Sequence, residues 1–200
     1  MAYLLWTVIG YLMGSLPSGY LVFKIVHGDD IRRFGSGNIG ATNVNRTLGI
    51  KWAVLVAFFD MFKGGAVLLV AFAAGFNEPW LTGLTGLAAV CGHNFPIWLG
   101  FRGGKGVSTT FGVVIFFSPP LSFFVAALGG LVWIIFLKFT RYVSIASLIS
   151  LFSLPCFFIL TGEEHVFAII SFLLAMLSCY RHRSNISRLI EGSESRTGQN

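Results

Sequence analysis

Residues 92–106 read Gly-His-Asn-Phe-Pro-Ile-Trp-Leu-Gly-Phe-Arg-Gly-Gly-Lys-Gly and lie between two apolar segments. This stretch holds a histidine, an asparagine, an arginine, a lysine and five glycines. Glycine lets the backbone approach a ligand closely, and basic side chains beside backbone N–H groups suit an anion such as phosphate. The alternative interpretation is a basic cytoplasmic turn between two membrane helices. Choosing between them requires the flanking sequence.

The composition of the 200-residue chain predicts an integral membrane protein. Hydrophobic residues make up 55% and charged residues 11%, with a mean hydropathy of +0.78, whereas soluble domains carry about 25% charged residues. The net charge is +6, but the basic residues lie between apolar segments, so membrane topology explains them better than a nucleic-acid partner. The three cysteines form no CxxC or Cys/His cluster, so the sequence predicts no disulfide framework, no metal site and no cofactor.

Seven apolar segments predict an all-α integral membrane protein with seven transmembrane helices. They cover about 3–25, 52–76, 80–100, 104–118, 121–138, 142–161 and 165–180. A spanning helix needs roughly 20 residues, so the fourth segment spans only if its helix begins at Gly103-Gly104-Lys105. The first segment is interrupted by Pro17 but continues apolar, so we interpret it as a retained helix and not as a signal peptide.

The distribution of basic residues predicts the orientation of the chain. Connections 77–78, 118–120 and 161–164 hold no Lys or Arg, whereas the alternate connections and the tail are basic. The positive-inside rule then puts the N-terminus outside and the C-terminus in the cytoplasm. We predict a single membrane domain over residues 1–192 and a disordered C-terminal tail over residues 193–200, which are small and polar.

Two further polar clusters are predicted on the cytoplasmic side. The first loop, from Gly35 to Arg46, offers backbone N–H groups, hydroxyls, amides and a guanidinium to an anion. The tail carries His182 and Asn185, which would share a helix face at i, i+3 spacing. Ser144 would either cap the start of its helix or contact a phosphate.

Three ionisable residues lie in or beside the apolar segments. Asp60 and Lys63 are three apart, so they share one helix face, either as a structural ion pair or as a pair that orients the basic loops. His93 would act as a general base or as an interfacial histidine that hydrogen-bonds a loop. We favour the second role because no Ser or Asp partner has motif spacing with His93.

The chemistry of the three clusters is that of hydrogen-bond donors. They are rich in amide, hydroxyl and basic groups and contain almost no carboxylates. Such a site would stabilise negative charge, as an oxyanion or phosphate clamp does, and it has no obvious protein base. Its position at the inner surface of a helix bundle would suit one water-soluble anion and one lipid tail.

Three long motifs resemble those of the bacterial acyl-phosphate:glycerol-3-phosphate acyltransferase family. They are residues 35–46, residues 92–106 and residues 181–192, and the segment around Asp60 and Lys63 is also similar. The resemblance covers essentially the whole chain in the same order, with one departure at Ser108, where alanine is expected. It implies seven spans in the bacterial cytoplasmic (inner) membrane, with the active site facing the cytoplasm.

The resemblance also implies the reaction. A fatty acyl group would pass from acyl phosphate to the 1-hydroxyl of glycerol 3-phosphate, giving lysophosphatidic acid and inorganic phosphate. The small-molecule partners would be these two substrates, together with membrane lipid, and the oligomeric state is open. The family lacks the His-x4-Asp motif of other acyltransferases, and no aspartate stands five positions after any of the four histidines here, where the residues are Arg32, Trp98, Ile170 and Ser187.

The resemblance implies roles for individual residues, which we state as hypotheses. Roles in catalysis fall to Lys105, Arg46, Ser36, His182 and Asn185. Substrate binding falls to Gly37, Asn38, Thr42, Asn43, His93, Asn94, Arg102, Gly103, Gly104 and Ser144. Asp60 and Lys63 would support the site structurally. We expect a substrate phosphate to deprotonate the acceptor hydroxyl.

A transporter or channel for phosphate or a phosphorylated metabolite is the rival interpretation. The same basic cluster could serve as its inner gate. Transporters often show a broken helix or internal symmetry near the middle of the membrane, and the sequence shows neither. A membrane scaffold without catalytic activity would leave three Gly/Asn/Arg clusters unexplained.

Overall fold

Helices are the regular elements of residues 1–198, the part of the chain that the computed structural model describes. Ten α-helices follow one another along this part. They are α1 (Ala2–Gly14), α2 (Ser18–His27), α3 (Ala41–Leu48), α4 (Ile50–Ala73), α5 (Pro79–Asn94), α6 (Val107–Ile115), α7 (Leu121–Thr140), α8 (Val143–Leu160), α9 (His165–Arg181) and α10 (Arg183–Ile190). The all-α part of the prediction is confirmed for these residues.

Four helical runs between residues 1 and 198 are long and apolar enough to cross a membrane. They are Ala2–His27, which contains α1 and α2, and then α4, α7 and α8. A fifth is added if α9 and α10, which meet at a 59° bend, count as one span. Helices α5 and α6 have 16 and 9 residues, short of the roughly 20 that a span needs. The predicted count of seven is therefore not confirmed.

The structure divides into two compact units, Met1–Val113 and the residues from Val114 onward. In the first unit, α1 packs along α5 through glycines that let the two backbones meet. A Cβ on Gly14 would lie 1.8 Å from the carbonyl oxygen of Ala89, and one on Gly92 would lie 2.1 Å from that of Tyr11. Small residues at such contacts are typical of membrane helices. This packing holds the C-terminal end of α5 in place.

A hydrophobic cluster anchors the first loop within the same unit. Phe23 of α2, Ile31 and Ile39 of the loop and Val44 of α3 are buried together with Leu99, which lies in a 3₁₀ turn after α5. Burial of such side chains stabilises a fold by about 1.5–3 kcal/mol each. The loop is therefore held against a turn inside the second polar motif, residues 92–106.

Two helix ends differ from the prediction around the second motif. The third apolar segment was expected to continue to residue 100, but α5 ends at Asn94. The fourth helix was expected to begin at the glycines, but α6 begins at Val107, and the N–H of Thr110 donates to the carbonyl of Gly106. Gly106 has a φ of +80°, which a right-handed helix does not allow, so residues 103–106 stay outside the helix.

The second unit is built on α7, α8 and α9, with α8 packed against both neighbours. The hydroxyl of Ser150 donates to the carbonyl of Gly129 at 2.7 Å, and Trp133 Nε1 donates to Ser147 Oγ at 3.2 Å. Phe117 and Phe167 stack with ring centroids 4.9 Å apart. The two hydrogen bonds satisfy polar groups that would otherwise be costly to bury.

The single domain predicted over residues 1–192 and the disorder predicted over residues 193–200 stay predictions. In the described part of the tail, Glu194 is buried and the N–H of Thr197 donates to the carbonyl of Arg141. Arg196 Nε donates to Tyr142 Oη at 3.0 Å. Gln199 and Asn200 lie outside the described residues.

Candidate functional site

The glycine loop, residues 103–106, lies directly against the end of α5. The N–H of Gly103 donates to the carbonyl of Asn94 at 3.2 Å, and the N–H of Gly104 donates to that of His93 at 3.1 Å. A Cβ on Gly103 would lie 2.2 Å from the His93 carbonyl oxygen, and one on Gly104 would lie 2.0 Å from His93 Nε2. Both positions therefore exclude a side chain. The loop carries Lys105, which is partly buried.

A buried charged group lies under this loop. Lys63 Nζ lies 2.8 Å from Asp60 Oδ1 and donates to the carbonyl of Leu16 at 2.7 Å. His93 Nδ1 lies 3.0 Å from Lys63 Nζ and 3.3 Å from Asp60 Oδ1. Ser18 Oγ donates to the same carboxylate oxygen. The Asp60–Lys63 pair thus joins the middle of α4 to the histidine that faces Gly104.

Asn43 shapes the first loop from within. Its side-chain amide donates to the carbonyls of Phe34, at 3.0 Å, and Asn38, at 2.8 Å. Its amide oxygen accepts the backbone N–H of Ser36 at 2.8 Å. Asn38 Oδ1 accepts the N–H of Gly40, which closes a local turn. Asn43 is buried, and these contacts hold the loop conformation that presents Ser36.

Several predicted anion-binding residues are exposed on this unit. Asn43 and Arg46 are three apart on α3, so they share one face of that helix. The exposed residues are Ser36, Gly37, Thr42, Arg46 and Arg102. An anion could reach the backbone N–H, hydroxyl and guanidinium groups that they carry.

Asn94 is placed differently from these exposed residues. It is fully buried, and neither its Oδ1 nor its Nδ2 has a hydrogen-bond partner among the described residues. A Cβ on Gly106 would lie 2.8 Å from Asn94 Oδ1, so the glycine loop passes directly over this amide. Its predicted role in substrate binding stays a prediction.

Two of the three predicted clusters come together in the first unit. Arg32 Nη1 donates to the carbonyl of Leu99 at 3.1 Å, and the Leu99 side chain packs in the cluster with Ile39 and Val44. Arg32 also pairs with Asp30 at 2.7 Å, and this hydrogen-bonded pairing lowers the pKa of the Asp30 carboxyl. The loop carboxylates are therefore engaged by arginine side chains, and the surface stays rich in donors.

The third cluster forms around a carboxylate in the second unit. Glu194 Oε1 accepts from Asn185 Nδ2 at 2.6 Å and from Ser144 Oγ at 3.1 Å, and Oε2 accepts from Arg188 Nε at 2.8 Å. Burial would raise the pKa of Glu194, but these hydrogen bonds outweigh it, and the pKa lies below the ordinary glutamate value. Helix α8 has no side-chain cap, so the alternative role of Ser144 as a cap is not observed.

Sequence reasoning did not single out Glu194, because it lies in a short polar segment. One signal could have found it, since it is an acidic residue six positions after Arg188 and just beyond the Gly192 turn. Ser18, which bonds the Asp60 carboxylate, was also missed. A hydroxyl at a helix start after Pro17 gives no hint of a partner 42 residues away.

His182 is held by its own helix end. Its Nδ1 lies 2.8 Å from the carbonyl oxygen of Ser178. A carbonyl oxygen only accepts hydrogen bonds, so Nδ1 carries the hydrogen, as assigned from the hydrogen-bond network. His182 is buried, as is Asn185 three residues later.

This arrangement is suited to anion stabilisation. Backbone N–H groups, amides, hydroxyls and basic side chains predominate among the polar groups of residues 35–46 and 102–106. Within residues 1–198 no group of three His, Cys, Asp or Glu side chains could hold a metal ion. The exposed cations would stabilise the negative charge of a bound anion.

Comparisons with known proteins find close similarity over nearly the whole chain. A family model described as glycerol-3-phosphate acyltransferase matches residues 4–192. A protein of that name from Thermus thermophilus is 45% identical over 195 residues, which cover 97% of this chain and 95% of the relative. Another from Desulforudis audaxviator is 46% identical over 188 residues, covering 94% of this chain and 92% of the relative.

Two solved structures are also similar. A crystal structure of PlsY, an integral membrane glycerol 3-phosphate acyltransferase, in its glycerol 3-phosphate form has a TM-score of 0.91 and 41% identity, covering 99% of this chain and 96% of that one. The lysophosphatidic acid form has a TM-score of 0.88 and 40% identity over the same shares.

Proposed function

Because the chain belongs to the glycerol-3-phosphate acyltransferase family, we propose that it transfers a fatty acyl group from acyl phosphate to the 1-hydroxyl of glycerol 3-phosphate. It is an enzyme, a membrane-integral acyltransferase of phospholipid synthesis. In the proposed reaction the hydroxyl oxygen attacks the acyl carbonyl, and the bond from that carbonyl to the phosphate oxygen breaks. The products are lysophosphatidic acid and inorganic phosphate.

The arrangement of residues 103–105 against the end of α5 carries this proposal. Two glycines exclude side chains where the loop meets His93, and a lysine follows them immediately. Backbone that is free of side chains and next to an ammonium group suits a phosphate, whose charge and oxygen atoms need donors. Both substrates and both products of the proposed reaction carry a phosphate group, so a phosphate-binding loop can serve throughout the reaction.

We propose phosphate-binding roles for residues of the first two motifs. Lys105 and Arg46 neutralise phosphate charge and assist its departure from the mixed anhydride, because they bring positive charge to the donor-rich motifs. Asn43 keeps the first loop in shape and presents Ser36. The remaining binding residues proposed for the first unit are Gly37, Asn38, Thr42, Asn94, Arg102, Gly103 and Gly104.

Residues of the C-terminal cluster also receive proposed roles. His182 and Asn185 act on the substrate, and Ser144 supports Asn185 through the shared Glu194 carboxylate. The acyl chain occupies an apolar groove between helices, where its burial is favourable. Each role is a proposal for mutagenesis.

The acceptor hydroxyl transfers its proton to a substrate phosphate in this mechanism. The carboxylates near the first two motifs are paired with arginine or lysine side chains, which makes them poor bases. We expect the His93→Ala and His182→Ala variants to bind their substrates. We also expect that adding exogenous imidazole does not restore any turnover that these variants lose. If both variants lose turnover with binding intact and exogenous imidazole restores it, a histidine is the base and the proposal is wrong.

We further propose seven membrane crossings in the bacterial inner membrane, with the polar motifs at the cytoplasmic face. The basic connections support this orientation, and the short helices α5 and α6 would then cross with the turns that flank them. This placement gives the site access to soluble glycerol 3-phosphate from the cytoplasm and to acyl phosphate from the bilayer.

Phosphate release tests the proposed reaction directly. Purified protein in detergent or lipid mesophase is given palmitoyl phosphate and glycerol 3-phosphate, and inorganic phosphate is measured. We expect release that requires glycerol 3-phosphate and that Lys105→Ala abolishes, while Lys51→Ala, an exposed lysine at the start of α4, keeps wild-type rates. No turnover, combined with phosphate or sugar-phosphate flux into liposomes, would instead support a transporter.

A further inference from the structure

The buried group formed by Asp60, Lys63 and His93 allows the tautomer of His93 to be assigned. A lysine ammonium has three N–H donors and no acceptor. Lys63 Nζ has three acceptors within reach, the Leu16 carbonyl at 2.7 Å, Asp60 Oδ1 at 2.8 Å and His93 Nδ1 at 3.0 Å. All three donors are satisfied only if Nδ1 offers its lone pair.

The opposite tautomer fits this group poorly. It would place a hydrogen on Nδ1 for donation to Asp60 Oδ1, 3.3 Å away. That oxygen already accepts from Lys63 and from Ser18 Oγ, so its two lone pairs are used. An Nδ1–H would also face the Lys63 ammonium at 3.0 Å, with hydrogen against hydrogen. A doubly protonated ring adds repulsion between two cations.

The hydrogen of the neutral ring therefore belongs on Nε2, which is the atom that lies against Gly104. A Cβ at that position would come within 2.0 Å of Nε2. The same histidine accepts the Gly104 N–H at its backbone carbonyl, at 3.1 Å. Side chain and backbone of His93 thus both contact the segment that carries Lys105.

We propose that Asp60 and Lys63 are positioning residues, which fix His93 as an Nε2–H donor beside the Gly103–Lys105 loop and so prevent it from acting as a general base. The inference rests on the proposed function in assigning an anion to this loop. The imidazole then adds an N–H donor to the loop and keeps its backbone in the anion-binding conformation. In many proteins the desolvation of a buried ion pair costs more free energy than the pairing returns. A positioning role would explain why the Asp60–Lys63 pair is nevertheless buried here.

Histidine ¹⁵N NMR tests the tautomer without reference to turnover. The full-length protein in detergent micelles, labelled with [¹⁵N]histidine, contains four histidines, and the spectrum of His93→Gln assigns the signals of His93. We expect a pyridine-type Nδ1 and a pyrrole-type Nε2 in the wild type. Lys63→Met should move the hydrogen to Nδ1. A protonated Nδ1 in the wild-type spectrum would overturn the proposal, whether or not Lys63→Met folds.

Kinetics of two His93 variants test what the donor does. A glutamine amide reaches the Nε2 position and donates there but does not act as a base, whereas leucine provides neither function. We expect His93→Gln to keep on the order of a tenth of wild-type kcat/KM and His93→Leu to lose about 100-fold, as for removal of one anion-stabilising donor. Equal loss in both variants, each with wild-type thermal stability in detergent, would contradict the donor role. If the wild type itself fails to release phosphate, the proposed function fails while the tautomer result stands.

Discussion

At the scale of single residues, Gly104 matters because of the side chain that it lacks. Residues other than glycine can adopt the backbone conformation of Gly104, but a Cβ there would meet the His93 ring. That ring is held in place by its contacts with Asp60 and Lys63. We expect Gly104→Ala to shift the loop and lower kcat/KM for glycerol 3-phosphate, on the order of 100-fold for a displacement near 1 Å. Steady-state phosphate release measures this.

Gly130→Ala in α7 is the matched control for Gly104→Ala. A Cβ at Gly130 would have nothing within 4 Å, so alanine there should leave activity unchanged and favour the helix slightly. If Gly104→Ala retains wild-type kinetics, the close approach of the loop to His93 has no functional importance.

Asn43 is a second residue whose effect is local. Removing its amide leaves the carbonyls of Phe34 and Asn38 and the N–H of Ser36 without these partners, at about 1–3 kcal/mol for each group that stays buried. We expect Asn43→Ala to lower the thermal midpoint in detergent and to raise the KM for glycerol 3-phosphate. Thr47→Val is the control, because it removes a hydroxyl bonded to carbonyls of its own helix. It should change the thermal midpoint and the KM less than Asn43→Ala does. Equal effects of the two substitutions would refute the role of Asn43 in holding the first loop.

At the scale of elements, Glu194 ties the segment after α10 to α8 through Ser144 and to α10 through Asn185 and Arg188. Its pKa is lowered in the folded protein, so its carboxylate contributes stability above the ordinary glutamate pKa of about 4.3. That contribution is lost as the pH falls through the lowered folded-state pKa.

Glu194→Gln should therefore lower the thermal midpoint at pH 7, and the difference from wild type should shrink as the pH falls below about 4.3. Melting curves in detergent at several pH values measure this. Glu191→Gln is the control, because Glu191 bonds an exposed serine hydroxyl at the surface. A wild-type advantage that is the same at pH 7 and at low pH would show that charge is not the cause.

The elements also show where sequence patterns reach their limit. Apolar runs predicted every long helix, because burial of an apolar segment in lipid forces its backbone to bond internally. The pattern did not predict that α5 ends at Asn94 or that α6 begins at Val107. Those ends depend on the positive φ of Gly106 and on backbone contacts with His93 and Asn94, which join residues about ten positions apart.

At the scale of the whole molecule, the seven-crossing topology is the prediction that most needs a test. In a background without the three native cysteines, Asn77→Cys lies in a connection expected outside and Ser193→Cys lies in the tail expected inside. A membrane-impermeant maleimide added to intact spheroplasts should label the first and reach the second only after lysis. Labelling of both, or the reverse pattern, would rule out this orientation.

The sequence by itself determined the membrane class, the positions of the long helices and the three motifs that lead to the acyltransferase family. Each of these follows from composition, local periodicity or contiguous residues, which a linear chain displays directly. The tertiary structure decided which partners the polar groups take: Lys63 with His93, Asn43 with the backbone of the first loop, and Glu194 with Ser144 and Asn185. These pairings depend on how packed helices and closed turns bring distant residues within about 3 Å, and no local pattern encodes that distance.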